Sequence, residues 1–140
     1  MKSLPTLLKI ARRDLDLLRR ALADQIAKRV AIDERIRTHE QSILVEQKAA
    51  LRDYEATRAY GGFAALAVAG RRALEAEAAA VDQESEHLRQ LIAEAHVEMR
   101  KFERLLELQE ERARKEAAKR EDAELDEMAT LRVANRQKPA

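Results

Sequence analysis

The chain has 140 residues, of which 38% are charged and only 3% aromatic, and it contains no cysteine. Its 27 basic and 26 acidic residues alternate along the sequence, so no single-sign field is present to attract nucleic acid. Abundant alanine, leucine, glutamate and arginine, with three glycines and two prolines, indicate long helices or a coiled coil, and exclude a disulfide-stabilised or β-rich domain.

The first predicted element is a long helix that begins next to Ser3, a residue type suited to capping a helix N-terminus. Alternating steps of four and three residues, the heptad spacing of a coiled coil, pass through fifteen positions, ten of them apolar. These positions are Leu4, Leu8, Ala11, Leu15, Leu18, Leu22, Gln25, Arg29, Ile32, Ile36, His39, Ile43, Glu46, Ala50 and Asp53. A helix with such an apolar stripe must pack on a partner.

A turn is predicted at residues 59–62, because Gly61 and Gly62 offer the easiest place for the chain to reverse. This predicts an all-α fold, a long two-helix antiparallel coiled-coil hairpin that forms a single domain over residues 1–140. Helix one is expected at about 3–58, helix two at about 63–120, and a short helical or disordered tail at 121–140. The alternative is one continuous helix that pairs with a second chain, although two adjacent glycines would cost about 2 kcal/mol inside a helix.

The second predicted helix continues the heptad spacing, although beyond Gln109 the sequence becomes polar nearly all round. Its predicted core positions are Val81, Glu84, Leu88, Leu91, Ala95, Glu98, Phe102, Leu105 and Gln109, with Met99 and Leu106 beside them. A last apolar group, Leu125, Met128 and Leu131, is followed by a basic tail.

Twelve residues near the middle of the chain, Ala59 to Gly70, carry no charge. They are too few to cross a bilayer, which requires about 20 apolar residues in a helix. Small residues here allow two helices to approach closely near the bend. The other interpretation is a docking face for another protein, with Tyr54, Tyr60 and Phe63 as aromatic anchors.

No pattern in the sequence indicates chemistry, so we expect neither an enzyme nor a cofactor. The three histidines, His39, His87 and His96, are not spaced as metal ligands, and no phosphate-binding loop is present. A two-helix hairpin also lacks a pocket in which catalytic groups could converge. Acidic residues interrupt the basic segment KREDAELDEMATLRVANRQK, which argues against nucleic-acid binding.

The layout nevertheless resembles a known family. The opening SLPTLLKIARRDLDLLRRALAD, the long charged hairpin and the close LDEMATLRVANRQKP are similar to those of FliJ, a protein of the flagellar type III export apparatus. The resemblance covers nearly the whole chain. It implies a cytoplasmic, stalk-like coiled coil, without membrane insertion of its own, that associates with the membrane export apparatus through protein partners.

The resemblance also implies partners and the residues that contact them. One partner is a FliI-like hexameric export ATPase, whose ring the terminal end of the hairpin enters; another is the FlhA-like export gate, and export chaperones are further candidates. The ATPase-binding end would comprise Leu4, Leu7, Leu8, Leu125, Met128, Leu131 and Arg132. The gate-binding residues would be Tyr54, Tyr60 and Phe63.

Part of the family pattern is missing, and other assignments stay open. The family's aromatic positions on the first helix are occupied here by Arg35, His39, Ser42 and Glu46. A stalk protein of virulence type III secretion has the same architecture, and a generic coiled-coil scaffold or adaptor is an alternative from a different class.

Overall fold

In a computed structural model, residues 3–137 are described, and they form two α-helices, α1 (Leu4–Arg52) and α2 (Tyr54–Gln137), with no strand in this range. The helices pack antiparallel, because positions that rise along α1 meet positions that fall along α2. Arg12 thus lies beside Glu103, and Arg29 lies beside Asp82. The predicted all-α helical hairpin is confirmed.

Both helices begin at residues whose side chains cap the backbone. The Thr6 amide donates to the Ser3 hydroxyl oxygen at 3.4 Å, and the Leu7 amide donates to the Ser3 carbonyl at 3.0 Å, so Ser3 caps α1 as predicted. At α2 the Glu55 amide donates to Asp53 Oδ1 at 3.2 Å. Proline at position 5 is tolerated because the first turn of a helix needs no amide donor.

The position of the turn differs from the prediction. Residues 59–62 are α-helical, neither Gly61 nor Gly62 has a positive φ, and the only non-helical residue between the helices is Asp53. The hydroxyl of Thr57 donates to the Asp53 carbonyl at 2.9 Å and also contacts the Ala50 carbonyl. These contacts satisfy backbone groups on both sides of the break, so glycine is not required there.

The core is narrow and follows the heptad spacing of α1. Leu8, Ala11, Leu15 and Ile32 are buried, and Leu15 is only 1% exposed. Of the fifteen core positions predicted for the first helix, fourteen lie in α1 and the last is Asp53, and only Glu46 and Asp53 are exposed. The polar interruption at Arg29 is explained by an ion pair across the interface, in which Arg29 Nε lies 3.1 Å from Asp82.

In α2 the predicted core positions are only half correct. Val81, Leu88, Leu91, Ala95 and Phe102 are buried or half-buried, but Glu84, Glu98, Leu105 and Gln109 are exposed. Ser85, Ile92, Met99 and Leu106, each one residue after a predicted position, are also buried or half-buried. A stripe of such positions runs in steps of four and three: Tyr60, Ala64, Ala67, Arg71, Leu74, Ala78, Val81, Ser85, Leu88, Ile92, Ala95, Met99, Phe102 and Leu106.

Small residues at several of these positions bring the helices close together. Ala67, Ala78 and Ser85 are buried, and His39 of α1 lies over Gly70, where a Cβ atom would stand 3.0 Å from His39 Cε1. His39 Nε2 also forms a hydrogen bond of 2.8 Å with the Ala67 carbonyl oxygen. The close approach predicted for the uncharged stretch therefore occurs at Ala67 and Gly70.

The contacts between residues divide the described chain into two compact units. The hairpin unit consists of Arg13–His96, and the terminal unit consists of residues 3–12 and 97–137. Neither helix, within residues 3–137, contains a stretch that is long and apolar enough to pass through a membrane.

Candidate protein-docking surfaces

The C-terminal segment, defined here as residues 109–137, extends α2 beyond the part that packs on α1. Every residue in it is exposed, in contrast to Met99, Phe102 and Leu106 on the preceding turns. Residues 121–137 thus adopt the helical form of the predicted tail, whereas 138–140 lie outside the described range. A partner could bind this segment without any rearrangement of the core, because none of its residues is buried. A helix without packing partners is only marginally stable in water.

One side of this segment carries a mostly apolar surface, which we call the C-terminal face. It is lined by Leu125, Met128, Ala129, Arg132, Val133 and Arg136. Leu125 is 63% exposed and Met128 is 53% exposed, which is unusual for large apolar side chains that lie next to each other. Ala123, Glu127 and Thr130 lie on the opposite side of this segment by the 3.6-residue period of the helix.

The predicted ATPase-binding residues fall into two groups. Leu8 is buried in the interface and Leu4 and Leu7 are half-buried, Leu4 lining a groove together with Leu105 and Leu108 of α2. From Gln109 to Leu125 the helix rises about 24 Å. The N-terminal leucines therefore belong to the packed part of the terminal unit, while Leu125, Met128 and Arg132 form a separate surface. Leu131 is 59% exposed but does not line this surface.

A second surface lies in the hairpin unit, and we call it the Tyr60 groove. It is lined by Ile43, Tyr60, Ala64, Ala67, Val68, Arg71, Arg72 and Glu75. Val68 is 52% exposed, and the rings of Tyr60 and Phe63 lie 6.1 Å apart at 37°. The groove is shallow and apolar along one side, with charged groups at one end.

The charged end of the Tyr60 groove is held in place by Arg71. Its guanidinium bonds to Glu40 of α1 and to Glu75 of α2, the latter at 2.8 Å. The hydrogen bonds that Arg71 donates to Glu40 and, to a smaller extent, to Glu75 raise the pKa of Arg71, so this group stays positively charged. Arg72 lines the groove next to it and is exposed.

The predicted gate-binding aromatics do not form one cluster. Tyr60 and Phe63 are neighbours and half-buried, but Tyr54 is the first residue of α2, is 76% exposed and does not line the groove. Of the four first-helix positions named for the family resemblance, Arg35 and His39 contact α2, whereas Ser42 and Glu46 are exposed. Arg35 Nη1 donates to Glu77 at 2.6 Å, and His39 lies over Gly70.

Sequence reasoning missed several residues of both surfaces. Val68 and Arg72 of the Tyr60 groove and Ala129, Val133 and Arg136 of the C-terminal face were not predicted. Each lies three or four residues from a residue on the same surface, for example Val68 from Ala64 and Ala129 from Leu125. Applying helical spacing to the exposed apolar residues would have found them.

Residues 3–137 contain no group of three or more His, Asp or Glu side chains arranged to hold a metal ion. Both surfaces are open, and the charged groups near them are exposed or ion-paired.

Comparison with known proteins adds no relative: no protein family, curated protein or solved structure matches this chain.

Proposed function

We propose that the protein is a stalk-like component of the flagellar type III export apparatus, with the C-terminal face as its contact with the export ATPase ring. The proposal combines the family resemblance of the two chain ends with the exposure of the C-terminal face. A two-helix coiled coil with an exposed apolar helix beyond its packed part offers that helix to a ring without disturbing the core. It needs no catalytic pocket.

The observation that carries the proposal is the position of Leu125 and Met128. Both side chains are more than half exposed on a segment that makes no contribution to the packed core. Burying a leucine or methionine side chain contributes about 1.5–3 kcal/mol, so insertion into a partner would recover energy that the isolated chain forgoes. Arg132 and Arg136 on the same face would meet acidic groups of the ring.

Replacing Leu125 and Met128 with aspartate is expected to abolish stimulation of ATP hydrolysis by the export ATPase. The two carboxylates would have to be desolvated on insertion, a cost that outweighs the lost apolar burial. Helicity by circular dichroism should be nearly unchanged, because neither side chain is in the core. ATPase activity is measured as a function of added protein, together with copurification of the hexamer.

Thr130→Asp is the matched control, because it introduces a carboxylate on the other side of the same segment. It should stimulate the ATPase as the unmodified chain does. If the Leu125→Asp, Met128→Asp variant also stimulates normally, insertion through this face is ruled out. Failure of the unmodified chain to bind or stimulate the ATPase would favour a scaffold role instead.

The Tyr60 groove is the surface that we propose for the export gate. Tyr60 lines it and the tilted Phe63 ring lies beside Tyr60, and aromatic side chains at the centre of a docking surface commonly dominate binding energy. The groove is in the hairpin unit and the C-terminal face is in the terminal unit, so no residue is shared between them. The two partners would therefore be bound by independent groups of side chains.

Tyr60→Ala is expected to weaken binding of the purified cytoplasmic domain of the gate protein by roughly tenfold or more, the cost of truncating a hot-spot aromatic. ATPase stimulation should be unaffected. Tyr54→Ala serves as a control for the removal of a tyrosine, because Tyr54 lies outside the groove. Normal gate binding by Tyr60→Ala and Phe63→Ala would mean that the groove is only part of a closely packed bend.

The same proposal places the protein in the cytoplasm, held at the membrane export apparatus by its partners. Export chaperones would be bound by surfaces other than these two. A stalk protein of virulence type III secretion would share this architecture and bind the ATPase of its own system. Testing both ATPases with the same variants decides between the two systems.

A further inference from the structure

The charges on the C-terminal face have no partners within their own helix. Most charged residues of α2 are close to an opposite charge three or four positions away, as in Arg100–Glu103 and Lys115–Glu111. Glu121 and Arg132 are different. The neighbours of Glu121 at these spacings are Ala117, Ala118, Glu124 and Leu125, and those of Arg132 are Met128, Ala129, Asn135 and Arg136.

Glu121 belongs to the same side of the helix as the C-terminal face. From Glu121, steps of four, three, four and four residues lead to Leu125, Met128, Arg132 and Arg136, which keeps all five on one side at 3.6 residues per turn. The side thus begins with an acid, continues with two apolar residues and ends with two bases.

The charges of residues 121–137 as a whole follow the same order, acidic first and basic after. Residues 121–127 contain five acids and no base, whereas residues 128–137 contain two arginines and no acid. Two such segments placed side by side in parallel would set like charges against each other. Placed antiparallel, the acidic half of each would lie against the basic half of the other.

We propose that the C-terminal faces of two copies of this chain bind each other antiparallel, centred between Met128 and Ala129. Glu121 and Arg136 lie seven residues to either side of this centre, so each forms an ion pair with its counterpart on the other copy. The Met128 side chains contact each other at the centre. The aliphatic part of Arg132 covers Leu125 of the other copy.

The pair is weak and exchanges readily. Its apolar contact is confined to a few side chains per copy, far below the roughly 1,200–2,000 Å² that stable protein interfaces bury. No rearrangement of the packed helices is needed, because every residue of the C-terminal segment is already exposed. The proposed ATPase contact uses the same side chains, so self-association would mask that contact. This consequence rests on the proposed function, whereas the pairing itself does not.

Sedimentation equilibrium of the purified full-length chain over a wide range of concentrations tests the pairing. Dimer should accumulate with concentration, and Met128→Asp should remove it. Glu121→Arg and Arg136→Glu should each raise the dissociation constant, by about threefold to tenfold, because two exposed ion pairs become repulsive. The double variant, in which the charges are exchanged, should restore the original value to within about twofold, since it recreates both pairs.

Disulfide cross-linking tests the orientation, and the absence of native cysteine makes it unambiguous. Met128→Cys should form a covalent dimer rapidly under mild oxidation, whereas Thr130→Cys, on the other side of the helix, should not. Glu121→Cys should cross-link poorly with itself but well with Arg136→Cys. Efficient self-cross-linking of Glu121→Cys would indicate parallel pairing and overturn the proposal.

The remaining outcomes also decide. A chain that is monomeric at all concentrations overturns the pairing, as does a dimer that Met128→Asp leaves intact or a charge exchange that fails to restore association. These measurements contain no ATPase, so they stand apart from the stimulation assay. Dimer formation without ATPase binding would overturn the proposed function alone, and ATPase stimulation by a strictly monomeric chain would overturn the pairing alone.

Discussion

At the residue scale, the reversal of the chain depends on hydrogen bonding around Asp53. Its side chain accepts from the Glu55 amide, and the Thr57 hydroxyl bonds back to the Asp53 carbonyl. Aspartate is among the best N-cap residues, and one non-helical position is sufficient when a hydroxyl four residues on supplies a donor. Gly61 and Gly62, which could form a turn without such hydrogen bonds, lie inside α2 instead.

Gly61→Ala and Gly62→Ala are therefore expected to stabilise the protein by roughly 1 kcal/mol each, the difference in helix propensity between alanine and glycine. A Cβ atom at either position would meet nothing within 4 Å, so there is no packing cost. The free energy of unfolding is measured by urea denaturation followed by circular dichroism. Destabilisation by either substitution would indicate that the glycines form a turn after all.

Gly70→Ala is the matched comparison within the same helix. Its Cβ atom would lie 3.0 Å from His39 Cε1, so the imidazole would have to move and its bond to the Ala67 carbonyl would be disturbed. We expect this substitution to destabilise the hairpin despite the gain in helix propensity. The three glycines of the chain thus differ in role although their local sequences look alike.

The sequence indicated helices and their antiparallel pairing but placed the turn eight residues too late. A glycine pair is the strongest breaker signal in the chain, and propensity reasoning ranks it above a lone aspartate. The contacts around Asp53 join the Thr57 hydroxyl to the Ala50 and Asp53 carbonyls, and the propensities of single residues do not include such contacts. Local propensity therefore could not decide between the two positions.

At the element scale, the heptad spacing of α1 was visible because its core positions are large apolar residues. In α2 the core passes through Ala78, Val81 and Ser85, where small residues give a weak signal. Glu84 and Ser85 are both polar, so hydrophobicity does not indicate which of them faces α1. The predicted spacing stepped three residues from Val81 to Glu84, whereas in the structure the step is four residues, to Ser85. Met99 and Leu106, further along, carry the correct register.

Leu15→Ala should destabilise the protein by about 2–5 kcal/mol, because Leu15 is 1% exposed and its removal leaves a cavity between the helices. Leu17→Ala is the control, since Leu17 is 51% exposed on the same helix and should change stability by no more than about 0.5 kcal/mol. Both free energies are obtained from urea denaturation. Equal effects would show that Leu17 is covered in solution.

The docking surfaces were predicted only in part, because apolar residues at helix ends do not reveal which are buried. Leu8 and Leu125 look equivalent in the sequence, yet Leu8 packs in the core and Leu125 is exposed. The difference follows from the lengths of the helices, 49 residues for α1 and 84 for α2, and hence from the position of the turn. A turn at Gly61 would have paired more of the second helix with the first and left a shorter exposed segment at the C-terminal end.

On the scale of the whole molecule, stability should be unevenly distributed along α2. Residues up to Leu106 pack on α1, while the segment that follows is exposed and receives only the small stabilisation of its own ion pairs, about 0.2–0.5 kcal/mol each. A helix without packing is marginal in water. The C-terminal segment can therefore unfold or be rebuilt on a partner without loss of the hairpin.

Amide hydrogen exchange should reveal this gradient. At low protein concentration, amides of residues 112–134 should exchange much faster than those of residues 85–106, because opening the C-terminal segment exposes no buried surface. Exchange is followed by mass spectrometry of peptic fragments, with Thr130→Asp as a variant that should leave both rates unchanged. If amides of the C-terminal segment exchanged as slowly as that of Leu88, another surface would have to cover the segment. Leu125→Asp would then lower the free energy of unfolding as well as weaken partner binding.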